Sequence, residues 1–409
     1  MTTAPTRFAA RLLPAPGAER ALATAALTSS VGQGVLLSCG VVFVVRVVGL
    51  DARQVGAGLT AGAALALLLP VPVGWLVDRV GARRCSVLFA AGTAAGTAGY
   101  ALTWSFPSYC VAVLLLGGSV VGLGITHNVL VGVLLTGGDR IRFKAYQRSV
   151  RNIGLSLGAL VAVVPLQADS RPVYQAALGL VAAGIAASGY WTARLAADGR
   201  SGPRAHPLSA LRDLPFAVTA VLCGLTAIRY SVLTVALPLW VVERMHAPRG
   251  LVSAILVLNT ALVVLVQVRA ARGAATTRQA RGLNLRGSFA LAGSCLLFGL
   301  AAAAPTELAV ALLLTGVVVL TFGEMWTSAA AWTFAFGLTR DGRHGRYQAA
   351  FALGTALGSL GGPAVAVWLA AGTASTWTLG AAGFALVGAA TAGALSWARW
   401  TGTGREDAG

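Results

Sequence analysis

Gly74 to Arg84, GWLVDRVGARR, is the stretch on which the reading of this chain turns. One acid and three arginines stand there between two long apolar runs, in a chain of 409 residues that holds only 13 Asp and Glu. The flanking runs give the charged knot its meaning. Hydrophobic residues make up 56% of the chain, charged residues 11%, and there are 51 glycines. A soluble domain carries charge on about a quarter of its residues, so this chain lacks the polar surface to cover itself in water. A bilayer core about 30 Å thick takes about 20 apolar residues per helix, and 409 residues leave room for ten to twelve such helices. The expected class is an all-α integral membrane protein.

Outward from the knot, apolar runs bounded by turn residues and charges predict twelve spans. Six lie at 22–46, 53–76, 85–104, 108–136, 146–167 and 172–194. Six more lie at 215–241, 250–268, 286–304, 309–336, 347–370 and 376–398. The polar, proline-containing stretch 196–214 falls at the midpoint. The expected organisation is a cytoplasmic tail of residues 1–20, a six-helix bundle 21–195, a linker 196–214, a second bundle 215–399 and a tail 400–409. Residues 1–20 contain no short apolar core with a cleavage site, so no removable signal peptide is expected.

A formal charge of +18 raises nucleic acid as a partner. The placement of the arginines argues against it, because they recur between apolar runs and form no block with interleaved aromatics. Along the twelve spans, 24 Lys and Arg fall on the side that holds both termini, and the opposite side holds five, Arg46, Arg53, Arg171, Arg244 and Arg249. This asymmetry predicts a multi-pass protein of the cell membrane with both termini cytoplasmic. Cys39, Cys85, Cys110, Cys223 and Cys295 stand alone, so neither a metal site nor a disulfide framework is expected. No phosphate-binding GxxxxGK[ST] loop occurs, which excludes ATP of that kind as the direct energy source. One His and one Glu in different halves make no catalytic constellation, and neither enzyme activity nor a cofactor is expected.

The chain also repeats. Tyr146-Gln147 returns as Tyr347-Gln348 after 201 residues, each pair opening the fifth span of its half from the cytoplasmic side. Two related six-helix halves are a common plan of secondary transporters.

In letters and in position, the knot resembles the signature of the major facilitator superfamily, G-x-x-x-D-R-x-G-x-R-R between spans two and three. Gly74, Asp78, Arg79, Gly81, Arg83 and Arg84 fill every fixed position. The twelve spans, linker and repeat extend the resemblance over essentially the whole chain. It implies two pseudo-symmetric bundles and secondary active transport by alternating access, with the knot as a cytoplasmic gate that latches the halves while the cavity opens outward. Within the family the chain is most similar to the drug-exporting, drug:proton antiporter branch. That implies efflux of a small, largely apolar molecule, coupled to inward proton movement, by a monomer among lipids. Two hallmarks of that branch are degraded: span five reads GLSLGALV without a Gly-Pro pair, and Gly118 stands where its span-four arginine would precede Gly122-Leu123-Gly124. Import or facilitated passage of a small metabolite remains an alternative, as does a non-transporting receptor or scaffold of the same fold. Physically, Gly81 suits the positive φ of a tight turn, and Asp78 is favoured beside arginines. The corresponding loop of the second half, Arg269 to Arg286, keeps five arginines without an acid.

A charge at the bilayer centre costs about 2.5–3.5 kcal/mol on insertion scales, so survivors usually face a polar cavity. Glu324 lies well inside span ten, and Arg229 lies fourteen residues into span seven, roughly 21 Å deep at 1.5 Å per residue. Gln33 lies in span one, and His127 and Asn128 in span four. Spans one, four, seven and ten are those the resemblance assigns to the cavity. The expected cavity and substrate set is therefore Gln33, His127, Asn128, Arg229, Tyr230, Glu324 and Trp326. Trp332 and Trp240 are further candidate walls, and Trp240 is equally a candidate interfacial anchor. Glu324 is the expected proton carrier, with Arg229 as its partner or as the anchor for an anionic substrate group; a permanent ion pair of the two is the alternative. A buried carboxylate without a partner holds its proton more tightly, and a nearby Arg favours its charged form. Arg151 is expected to snorkel, and Asn259 and Gln267 to bond between helices. Gly154 and Gly158, and Gly354, Gly358 and Gly362 ahead of Pro363, form small-xxx-small faces for close helix packing.

Overall fold

Helices occupy nearly all of the computed structural model, which describes residues 17–195, 209–243, 250–301, 304–339 and 343–400, with no strand among them. Most of the expected tails and linker lie outside those residues. The first six-span group begins with α1 (Ala18–Val35), which runs on through π-helical turns at Leu36–Gly40 and Phe43–Val47. It continues with α2 (Ala52–Leu68), α3 (Pro70–Val80), α4 (Ala82–Ala101), α5 (Phe106–Leu134), α6 (Gly137–Ala168) and α7 (Arg171–Ala193). The second group opens with α8 (Leu214–Thr226), the short α9 (Arg229–Ser231), a π-helical Val232–Ala236 and α10 (Leu237–Glu243). It continues with α11 (Gly250–Ala270), α12 (Thr277–Ala301), α13 (Thr306–Gly337), α14 (His344–Ala371) and α15 (Ala374–Trp400).

Among the described residues, ten helical segments are long and apolar enough to cross a bilayer, and α2 with α3 makes an eleventh if taken as one span bent by 51°. Pro70 stands at the start of α3, where its missing N–H and fixed φ suit a helix restart but not a continuous ladder. The remaining expected span is α4. Its 20 residues are long enough, but Arg83, Arg84 and a run of Ala, Gly and Thr leave it without a stretch as apolar as those of the other spans.

Two helices start nine residues before the expected spans, α6 at Gly137 and α12 at Thr277. Hydropathy detects only the apolar part of a helix. The arginine-rich leading turns remain helical because Arg is a good helix former. Thr276 and Gln279 also bond reciprocally at the start of α12: Gln279 N donates to Thr276 Oγ1 and Thr276 N to Gln279 Oε1, both at 3.3 Å. Asp51 and Gln54 do the same at the start of α2, at 2.7 and 3.2 Å.

The chain divides into two compact units, residues 1–135 with 147–204, and residues 136–146 with 205–409. Each unit uses the same pairings. In the first, α4 packs on α5 and α7, α1 on α7, and α2 on α5; in the second, α12 packs on α13 and α15, α8 on α15, and α11 on α13. Because lipid is as apolar as leucine, close van der Waals approach holds such helices rather than the hydrophobic effect. The expected glycines lie on these seams. A Cβ on Gly158 would come within 2.8 Å of Gly34 Cα on α1, and one on Gly154 within 2.6 Å of Ser30 Cβ. In the second unit, a Cβ on Gly354 or Gly358 would overlap the α8 carbonyls of Ala220 and Gly224. Gly362, ahead of Pro363, abuts Ser231. Aromatic side chains fill the cores: Phe43 lies 5.3 Å from Tyr174 in one unit, and Trp240 5.5 Å from Trp377 in the other.

Candidate functional site

The charged knot forms where α3 gives way to α4 with a single residue between them. That residue, Gly81, has φ of 101° and ψ of 143°, a conformation side chains with a Cβ resist. Gly74 and Asp78 are buried on α3. Arg79 lies over the Trp75 ring, 5.1 Å from its centroid, and Arg84 is exposed. Arg83 Nη1 donates to Leu195 O at 3.1 Å, just past the end of α7. There a cation meets helix carbonyls that lack partners within the helix. This arginine is thus anchored inside its own unit, a role that orientation charge alone does not provide.

Also in the first unit, Gln33 is half-buried on α1 and its Oε1 accepts from Arg151 Nη2 at 3.3 Å. Arg151 is exposed, as snorkelling requires, but its guanidinium also reaches across to α1. His127 and Asn128 sit half-buried on α5.

The first span of the second unit runs continuously from Leu214 to Val241 but is wound unevenly. Ala227 and Ile228, between α8 and α9, keep helical φ and ψ but bond three residues back instead of four, and the π turn follows at once. A carbonyl left without its α-helical donor at membrane depth finds no partner in lipid. Arg229 Nη1 donates to one carbonyl of this turn, Thr226 O, at 2.7 Å. Its Nη2 donates to Ser328 Oγ on α13, also at 2.7 Å. Beside this turn lies a cavity of about 120 Å³ lined by residues of α8, α9, α12, α13 and α14, with Arg229, Asn284, Ser328, Trp332 and Phe351 among them. Asn284 is 3% exposed, and its Nδ2 makes no hydrogen bond within the described protein. Lys144 Nζ, from the 136–146 segment of the same unit, stands 5.9 Å from the centroid of the Trp332 ring.

Glu324 is buried on α13, one turn before Ser328. Its Oε2 accepts from Asn259 Nδ2 of α11 at 3.2 Å, and the same amide donates to Thr321 Oγ1 at 3.0 Å. Asn259 therefore makes the interhelical bonds expected of it. Gln267 does not: it is fully buried, and neither its Nε2 nor its Oε1 is hydrogen-bonded among the described residues. Tyr230 is 61% exposed, and Trp326 is half-buried with its ring 5.6 Å from Phe322; neither lines the cavity. Trp240 is 1% exposed in the core against Trp377, so it is neither an interfacial anchor nor a wall.

Of the expected site residues, the structure places Arg229 in this cavity and Glu324 a turn away. It adds Asn284 and Ser328, which the sequence does not single out. Asn284 precedes residue 286, the expected start of span nine, and so reads as part of a loop. The Thr276/Gln279 capping pair is the signal that would have moved it into the helix. Among the described residues, no three His, Cys, Asp or Glu side chains come together as a metal site would need.

Two like helical units, apolar spans and a half-buried arginine within one of those spans define a multi-pass α-helical membrane protein of the two-bundle transporter plan. Residues 21–363 match the Major Facilitator Superfamily, and the chain belongs to that family. Its fold is similar to that of a bacterial homologue of the iron transporter ferroportin in an outward-facing state, with a TM-score of 0.74 at 14% identity, covering 92% of this chain and 99% of that one. The human organic anion transporter MFSD10 gives 0.66 at 17% identity over 91% and 98%. The E. coli fucose:proton symporter FucP gives 0.66 at 15% identity over 91% and 97%. At these identities the likeness is one of fold. No curated protein matches the chain in sequence.

Proposed function

We propose that the chain is a secondary transporter that exports a small, largely apolar molecule by alternating access. Both termini lie in the cytoplasm, and inward proton movement is the coupled flow. The observation that carries this reading is Arg229, a cation held within a membrane-spanning helix, at an unevenly wound turn beside a cavity. Polar backbone and charge persist at such depth where they border a solute path. Membership of the superfamily supports the same reading. Glu324 is the proposed proton carrier, because it is a buried carboxylate inside a membrane span, one turn from the cavity, with Asn259 Nδ2 donating to its Oε2.

The test is flux in proteoliposomes with imposed pH gradients, comparing the intact chain with Glu324→Gln. Substrate movement against its gradient when the proton gradient is inward, lost in the variant with downhill movement retained, is the expected result. Gradient-independent flux in both proteins would remove the proton role, and absence of flux would favour a receptor or scaffold. Import is the second reading, supported by the shared fold of a fucose:proton symporter. Accumulation together with protons, rather than against them, would establish it.

A further inference from the structure

We propose that an arginine-flanked cleft at the start of α12 holds the headgroup of an anionic phospholipid from the leaflet in which that helix begins. The site is separate from the cavity beside Arg229 and does not depend on what the chain transports. The cleft has a volume of about 610 Å³ and lies between the turn at Ala271–Gly273 and the first turns of α12, with Arg278, Gly282 and Arg286 among its lining residues. Small-molecule sites span roughly 300–1,000 Å³. Gly282 stands one turn from each arginine, and a Cβ built on it would meet nothing within 4 Å. Its backbone is therefore open to a ligand lying between two guanidinium groups. Both arginines are exposed, and neither is hydrogen-bonded or ion-paired among the described residues. The corresponding loop of the first unit differs, for there Arg83 is committed to Leu195 O and Arg79 to the Trp75 ring. Guanidinium forks match the paired oxygens of a phosphate. From Arg269 to Arg286 there is no acid to receive the ammonium group of a zwitterionic headgroup. The cleft thus favours a lipid of net negative charge, such as phosphatidylglycerol.

The helix face below the cleft is an independent observation, and it selects a lipid over a free anion. Arg286 is the last charge before the apolar part of α12, so the cleft stands at the edge of the hydrocarbon. At about 100° per residue, Arg278, Gly282 and Arg286 share a sector of about 80°, and Phe289, Gly293, Leu296 and Leu300 continue inside it. Phe289, Leu296 and Leu300 are exposed, and a Cβ on Gly293 would meet nothing within 4 Å. Together they leave a shallow track for an acyl chain beneath the headgroup. A second copy of this chain fits the face less well. A two-fold axis along the membrane normal would set the arginines of both copies at one level, like charge against like.

The test uses the full-length chain in detergent, titrated with dioleoyl phosphatidylglycerol, its phosphatidylcholine counterpart or glycerol phosphate. Native mass spectrometry counts bound lipid, and thermal unfolding is followed in parallel. Saturable binding of phosphatidylglycerol is expected, with neither of the other probes displacing it at equal concentration. Replacing both Arg278→Gln and Arg286→Gln should weaken that binding about 25-fold, or about fivefold per arginine. Gly282→Leu, which fills the cleft and removes no charge, should weaken it comparably. Arg272→Gln removes an exposed arginine of the same loop from outside the cleft and should change it little. All these variants should keep the unfolding temperature of the lipid-free chain, because the replaced groups have no partners to lose. If the double variant fails to fold, Gly282→Leu still decides. Undiminished binding by Gly282→Leu, equal binding of phosphatidylcholine, or displacement by glycerol phosphate would overturn the site. So would an equal loss in Arg272→Gln, which would mean diffuse charge attraction only. A dimer that Gly282→Leu dissociates would give the face to a second copy and overturn the lipid as its occupant.

Discussion

Arg83 and Arg229 do related work in different surroundings, each donating into the carbonyl end of a helix, Leu195 O beyond α7 and Thr226 O at the end of α8. Cations at that position stabilise by charge as well as by hydrogen bonding. Replacing Arg83 with Ala should lower stability by about 1 kcal/mol, seen as earlier thermal unfolding in detergent, and Arg83→Lys should recover part of the loss. Gly81→Ala meets a steeper cost, on the order of 1–3 kcal/mol, because its φ of 101° lies outside the conformations an L side chain adopts easily. The two residues also differ in how readily they are seen in sequence. Gly81 is legible, since a glycine between two apolar helices and beside charges announces a turn. The partner of Arg83 is not, because it lies 112 residues away and no local pattern connects them. Asn284 was hidden for another reason: its charged neighbours mask a helix that hydropathy alone cannot register.

At the scale of a helix, α14 offers a controlled comparison between two glycines three residues apart. A Cβ on Gly358 would overlap Gly224 O of α8, whereas one on Gly361 would meet nothing within 4 Å. Gly358→Ala should force the helices apart at a cost of about 1–3 kcal/mol, and Gly361→Ala should add about 0.5–1 kcal/mol through helix propensity. Thermal denaturation of the two purified variants should therefore move in opposite directions. Equal shifts would mean that the seam yields without cost. The small-xxx-small spacing made this seam visible in sequence, as it did Gly154 and Gly158 against α1. What spacing cannot convey is which helix receives each face, because that depends on the pairing of elements 130 or so residues apart, such as Gly224 and Gly358.

For the whole molecule, the chain shows its plan twice: in the Tyr-Gln repeat, and in the identical pairing of helices within each unit. The arginine asymmetry predicts that position 84 faces the cytoplasm and position 104 the opposite side. Both are exposed, so each accepts a single cysteine in a background lacking the native five. A membrane-impermeant maleimide should label position 104 in intact cells and position 84 only after permeabilisation; the reverse pattern would invert the topology. Composition and periodicity thus convey the class and most of the spans, ten or eleven of the twelve expected being long and apolar enough among the described residues; they do not convey that residues 136–146 pack with the second unit. The cavity is not legible in this way, because it depends on a local change of helix winding with no proline to mark it and on side chains drawn from helices far apart in sequence.

The π-helical turn at Val232–Ala236 shifts the phase of everything after it. In an unbroken α-helix, Trp240 would come round to nearly the same azimuth as Arg229, eleven residues earlier, at about 100° per residue. One wide turn absorbs an extra residue and rotates the outer segment by about that angle, which is how Trp240 comes to rest against Trp377 in the core. Deleting a single residue from that turn should unwind the offset and swing the indole out of its socket, leaving Arg229 where it is.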